Sequence, residues 1–186
     1  MKRLFIAIKI VPNQEFLYQY EVIMLCLKAN KMNWIQPDHF HLTLKFLGLI
    51  ADDKIDEIEQ ELKQVHFKPF VISIEKLGIF GSRYKPRVLW TKVQDNGEMR
   101  ILAEEIIERM HRIGLKRDRQ NFVPHLTLAR IKNIPDNMYF QQKLQSVKGT
   151  FFQEYRVDGF HLYQSILSPK GVKYRSLSYF PFTQSK

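Results

Sequence analysis

Apolar and polar positions divide this chain into short segments of two kinds. Dense or alternating apolar runs predict strands at Leu4 to Ile10, Phe40 to Leu47, Phe70 to Leu77, Val88 to Val93, Thr150 to Tyr163 and Lys173 to Phe180. Three- and four-residue spacing predicts helices from Asn13 to about Ala29, from Asp52 to Val65, from Glu98 to Arg112 and, more weakly, near Asp136 to Val147. In the acidic second helix Ile55, Ile58 and Leu62 form one stripe, and Asp52 and Asp53 are placed to cap and charge its start. Gly81 to Arg87, rich in Gly, Lys, Arg and Pro, reads as a loop.

The order strand, helix, strand, helix, strand occurs twice, and the second copy carries one more strand. The middle strand of each copy opens with the same letters, HLTL at His41 to Leu44 and again at His125 to Leu128. Gly78 and Gly159 follow their histidines at similar distances, which supports a duplication. Two similar halves in one chain are expected to pack about a pseudo-twofold axis. With no long linker between them, residues 1–186 read as a single bilobal α+β domain.

On a strand successive side chains point to opposite faces, so His41 and Thr43 share one face while Leu42 and Leu44 belong to the core. His125 and Thr127 repeat the division. Imidazole and hydroxyl then stand about 6.6 Å apart along each strand. Brought together about an axis, two such faces surround a volume suited to a tetrahedral anion. Histidine titrates near neutrality, so one copy can remove a proton while the other supplies one. Phosphodiester cleavage needs that pair, and the threonine hydroxyls can donate to non-bridging phosphate oxygens.

Charge and composition narrow the setting. Twenty-nine Lys and Arg against 19 Asp and Glu leave a formal charge of +10, which favours encounter with anionic partners. In the first segment Lys9 interrupts the apolar run and no small-residue cleavage site follows, so it reads as a strand and not as a signal sequence. No run approaches the length of a membrane-spanning helix. The lone Cys26 has no partner for an internal disulfide and reads as a packing residue. The expectation is a soluble, cytoplasmic monomer with neither membrane association nor an obligate protein partner.

A metal site is the competing chemistry. His39 and His41 form an HxH pair that could supply two nitrogen ligands. The second copy has Val123 at the matching position and no carboxylate on its strand, while His66, His111 and His161 are scattered. No metal and no cofactor are therefore expected.

HLTLKFLG (His41 to Gly48) with PHLTLAR (Pro124 to Arg130) resembles the 2H phosphoesterase superfamily, specifically its RNA 2′,3′-cyclic phosphodiesterases, also called 2′-5′ RNA ligases. RLFIAIKI at the start, PRVLW (Pro86 to Trp90) and LYQSILSPKGVKY (Leu162 to Tyr174) are similar to that family's segments in the same order. The resemblance implies two antiparallel sheets lining a central cleft. It also implies metal-independent hydrolysis of a terminal 2′,3′-cyclic phosphate to a 2′-phosphomonoester, with ligation as the reverse reaction. By the same resemblance His41 is the proton donor and His125 the proton acceptor. The residues alone leave that order open, because the halves are so alike.

Thr43, Thr127, Arg130 and Lys45 are the expected phosphate contacts. Parity places Lys45 on the catalytic face and puts Arg130 on the opposite one, so the strand must twist or end for Arg130 to reach the phosphate. Phe46, Phe80, Tyr84 and Tyr174 are candidate stacking surfaces for the flanking nucleotides, and Arg83, Lys85 and Arg87 form the best local basic patch. Two rival functions share these features. One is a phosphodiesterase of small cyclic or 2′-5′-linked nucleotides, and the other an RNA-binding module without turnover.

Overall fold

The computed structural model describes residues 1–82, 84–117, 122–169 and 171–183. In chain order these form β1 (Lys2–Lys9), α1 (Gln14–Cys26), β2 (Lys31–Trp34), β3 (His41–Ile50), α2 (Ile55–Lys63), β4 (Phe70–Ser82), β5 (Lys85–Gln94), α3 (Glu98–Arg112), β6 (His125–Asn133), α4 (Asn137–Val147), β7 (Phe151–Val157), β8 (Gly159–Ser168) and β9 (Gly171–Pro181). Local chemistry sets several of these boundaries. The Asn13 side chain accepts from the Phe16 amide at 2.8 Å to start α1, and Asp136 accepts from the Tyr139 amide at 2.9 Å to start α4. Asp52 to Lys54 form a short 3-10 turn ahead of α2, so the regular helix begins later than the acidic stretch.

The strands form two sheets, of order β3-β1-β8-β9 and β2-β6-β5-β4-β7, and every pairing in them is antiparallel. Each half therefore sends two strands to the other sheet: β2 and β4 of the first half join β5, β6 and β7, with β4 between β5 and β7, and β8 and β9 of the second half join β1 and β3, with β8 between β1 and β9. The lobes are consequently not the two halves of the sequence, and neither sheet can form without both. The helices bury their apolar stripes on the outer faces. Phe16, Tyr20 and Ile23 of α1 and Met99, Leu102, Ala103, Ile106 and Met110 of α3 join one continuous core. Each buried Phe, Leu, Ile or Met among them contributes about 1.5–3 kcal/mol.

Four sequence expectations change. The segment read as one strand from Thr150 to Tyr163 breaks at Asp158 into β7 and β8, which serve different sheets. Gly159, at the start of β8, admits β9 at close range, because a Cβ there would lie 2.4 Å from the Phe180 carbonyl oxygen and 2.7 Å from the Tyr179 ring. The loop read at Gly81 to Arg87 is a tight hairpin, with strand pairing out to Ser82 and Lys85. The four-residue edge strand β2 is too short to show a period, and pairing with β6 creates it. Cys26 is only half buried, at the contact of α1 with α4, where its Sγ lies 3.7 Å from the Lys143 carbonyl.

Candidate active site

β3 and β6 carry the repeated motif on opposite sheets, and each is paired along one side by the strand that opens its half. In the first sheet Ala7 pairs with Thr43 but Ile6 pairs with Lys45; in the second, Trp90 pairs with Thr127 but Leu89 with Ala129. Leu44 and Leu128 are thus the extra residues of two equivalent β-bulges. A bulge inverts the alternation that follows it. Both strands consequently bury the second, fourth and fifth residues of HLTLK and HLTLA and expose the sixth.

That inversion decides the two cations. Arg130 is carried onto the face of His125 and Thr127, and it lines the cleft between the sheets. Lys45 is turned away from it, against the parity expectation. Its side chain is 2% exposed and its Nζ donates to the Lys116 carbonyl at 2.9 Å, so it is no part of the cleft wall. The residue of the first half that corresponds to Arg130 is Phe46, which does line the cleft.

The cleft has a volume of about 540 Å³ and is walled by His41, Thr43 and Phe46 of β3, by His125, Thr127 and Arg130 of β6, and by side chains of β1, β4 and β9. Both imidazoles are held alike. The Nδ1 of His41 lies 2.7 Å from the His39 carbonyl oxygen, and that of His125 lies 2.7 Å from the Val123 carbonyl oxygen. A carbonyl can only accept, so Nδ1 carries the hydrogen in each ring and Nε2 is the nitrogen left to exchange protons. Aromatic rings fix the orientation. Phe5 and Tyr174 stand 5.1 and 5.0 Å from the His41 ring, and Phe80 and Trp90 stand 4.8 and 6.1 Å from that of His125. Gly78 admits Trp90 to this position, since a Cβ there would lie 2.4 Å from the indole.

Burial pushes the His41 imidazole down to about 4. Its bond to the His39 carbonyl opposes the shift, while the charges of Lys9, His39 and His125 add to it. Burial also lowers His125, against the opposing bond to the Val123 carbonyl. Both rings are therefore neutral near pH 7 in the free protein. A charge on either is disfavoured until an anion enters between them.

Of the expected stacking residues, Phe46, Phe80 and Tyr174 line the cleft, and Tyr84 does not. Tyr84 is 86% exposed at the tip of the β4–β5 hairpin and faces a separate depression against α4. Arg83 lies outside the described residues. Lys85 and Arg87 are exposed on β5 away from the cleft wall. Sequence reading missed Arg3 and Phe5, which share a face of β1 and line the cleft. Parity puts them on one face of β1 with Ala7, but only the pairing of Ala7 with Thr43 shows that this face is the one turned to the cleft. His39 ends a short 3-10 turn just before β3 and borders the cleft, 3.8 Å from the Asp38 carboxylate. Among the described residues no group of three or more His, Cys, Asp and Glu is arranged to hold a metal ion, and no helix is long and apolar enough to cross a membrane.

Two antiparallel sheets that face each other with an HxT motif on each define a 2H phosphoesterase fold. The chain belongs to the 2′-5′ RNA ligase superfamily, whose family model matches residues 28–166. It is 38% identical over 146 residues to an RNA 2′,3′-cyclic phosphodiesterase of Archaeoglobus fulgidus, covering 78% of this chain and 81% of that one. An RNA 2′,3′-cyclic phosphodiesterase of Thermotoga maritima is 32% identical over 179 residues, covering 94% of this chain and 92% of the relative. A crystal structure of a Thermus thermophilus protein matches with a TM-score of 0.80 at 26% identity, covering 97% of each chain.

Proposed function

We propose that this chain is an RNA 2′,3′-cyclic phosphodiesterase that works as a single bilobal unit, a cytoplasmic monomer, on the ends of RNA. The observation that carries the reading is the pair of identically tethered imidazoles in one cleft, each with a threonine beside it and with Arg130 at the rim. The cyclic phosphate lies between the histidines with its non-bridging oxygens toward Thr43, Thr127 and Arg130. The Nε2 of His125 takes a proton from water as its oxygen bonds to phosphorus. The P–O3′ bond breaks, O3′ takes a proton from the Nε2 of His41, and the phosphate remains on O2′. The anionic phosphate supports the protonated His41 that burial alone disfavours.

The test is release of a 2′-phosphate from an oligonucleotide with a cyclic-phosphate end, in EDTA, with His41→Ala and His125→Ala alongside. Each substitution is expected to lower kcat by roughly 10²- to 10⁴-fold, the usual contribution of a general acid or base. Full activity in either variant, or abolition by the chelator alone, would sink the proposal. Salt-sensitive RNA binding with no turnover would favour a binding module instead.

A further inference from the structure

A second pocket, of about 260 Å³, opens where the end of β1 meets the β7–β8 corner and β9. Lys9, Arg156, His161 and Tyr179 line it. It adjoins the catalytic face of the first sheet. Lys9 is the register partner of His41, and Ala7 pairs with Thr43 on one side and with His161 on the other. Directly paired residues share a face, and with strands spaced about 4.8 Å apart, β8 lies roughly 10 Å across the sheet from β3.

The two sites are joined by a row of rings. His41 lies 5.1 Å from Phe5, Phe5 stacks on Tyr163 at 5.3 Å, Tyr163 on His161 at 5.2 Å, and His161 packs against Tyr179 at 4.6 Å. Phe5 and Tyr163 are buried, so the middle of the row is a fixed spine. Tyr179 is half exposed at its far end and offers a ring face to a ligand.

The polar groups suit a phosphodiester. Lys9 donates to the Asp38 backbone carbonyl, a neutral acceptor, so that bond does not neutralise its charge. Arg156 engages the Asp158 carboxylate through Nε at 2.7 Å, leaving its two Nη groups for another acceptor. His161 bonds Ser176 Oγ through Nδ1 at 2.9 Å, which leaves Nε2. A cyclic phosphate occupies both O2′ and O3′ of the last ribose, so the RNA chain can continue only through O5′.

We propose that this pocket holds the nucleotide on the 5′ side of the reacting one, with its phosphate against Lys9 and Arg156 and its base on the Tyr179 ring. This rests on the phosphodiesterase reading and deepens it: the substrate is a single-stranded RNA end, and a lone nucleotide leaves this pocket empty.

The experiment compares a nucleoside 2′,3′-cyclic phosphate with a trinucleotide ending in the same group, for the wild type, Arg156→Gln, Tyr179→Ala and Tyr179→Phe. On the trinucleotide, Arg156→Gln and Tyr179→Ala should raise KM roughly tenfold with kcat little changed, in line with loss of one stacking or phosphate contact. Tyr179→Phe keeps the ring and should match the wild type. On the nucleoside, all four proteins should agree. Arg156→Gln should also flatten the dependence of log KM on log salt for the trinucleotide by about 0.7, as expected for one phosphate contact on a single strand. Equal KM for the two substrates in the wild type, or variants that leave the trinucleotide unaffected or impair both substrates alike, would overturn the pocket's assignment. Hydrolysis of neither substrate by the wild type would instead overturn the phosphodiesterase reading on which it stands.

Discussion

The half-buried histidines make the pH dependence of the reaction calculable. With the His41 imidazole lowered to about 4, only roughly one free molecule in a thousand carries the His41 proton at pH 7. His125 is lowered as well, so both titrations that govern the free enzyme fall below the ordinary value of about 6.5. The general acid loses function as pH rises through its pKa, and the general base as pH falls through its own. The kcat/KM profile, which reports the free enzyme, should therefore peak on the acid side of 6.5 and fall about tenfold per pH unit above it. Binding changes the balance. A phosphate anion about 4 Å from an imidazolium contributes on the order of 4 kcal/mol at an effective dielectric constant near 20. That is worth about three pKa units, enough to bring the His41 titration back to near-neutral pH and keep its proton available in the complex. The kcat profile should accordingly reach further toward alkaline pH than the kcat/KM profile. Initial rates of 2′-phosphate release from pH 4 to 9, fitted separately for the two parameters as macroscopic pKa values, measure this directly. Profiles with the same limbs, or a kcat/KM that is flat from pH 5 to 8, would refute the reasoning.

The same burial acts on stability. Between 6.5 and about 4 the unfolded His41 binds a proton and the folded one does not, so stability rises with pH over that window; its loss on acidification should approach about 3 kcal/mol, and His41→Asn should remove that part of the slope in denaturant titrations. Lys45→Met should leave kcat/KM essentially unchanged, because the side chain lies outside the cleft, and should lower the melting temperature through loss of its buried hydrogen bond to the Lys116 carbonyl, about 1–3 kcal/mol. Gly78→Ala should destabilise by about 1–3 kcal/mol and reduce kcat, since the added methyl must displace Trp90 and with it the ring packing of His125; unchanged kinetics and stability would contradict the close approach.

Much of the site was legible in advance because its signals are local. Alternation alone separates His41 and Thr43 from Leu42 and Leu44, and the spacing from Glu98 to Arg112 predicted α3 at its observed limits. Lys45 and Arg130 were misplaced by the same rule that placed the histidines correctly. Parity counts residues along one strand, whereas a bulge arises from how two strands pair, and a single extra residue at Leu44 or Leu128 reverses everything beyond it.

By itself, then, the sequence determined the repeated element order, the helices, and which face of HLTL bears the chemistry, because each depends on residues a few positions apart; the cap expected from Asp52 and Asp53 did not form, since α2 starts after Lys54 and Asp52 pairs with Lys2 and the N-terminal amine. Only the tertiary structure decided that β4 and β8 cross between the sheets, that Arg130 reaches the cleft while Lys45 is buried, and that Lys9 and His161 share a sheet face with His41. The reason is physical: these outcomes are set by pairings between distant strands and by burial of the core they enclose, and both exist only once the chain has closed on itself.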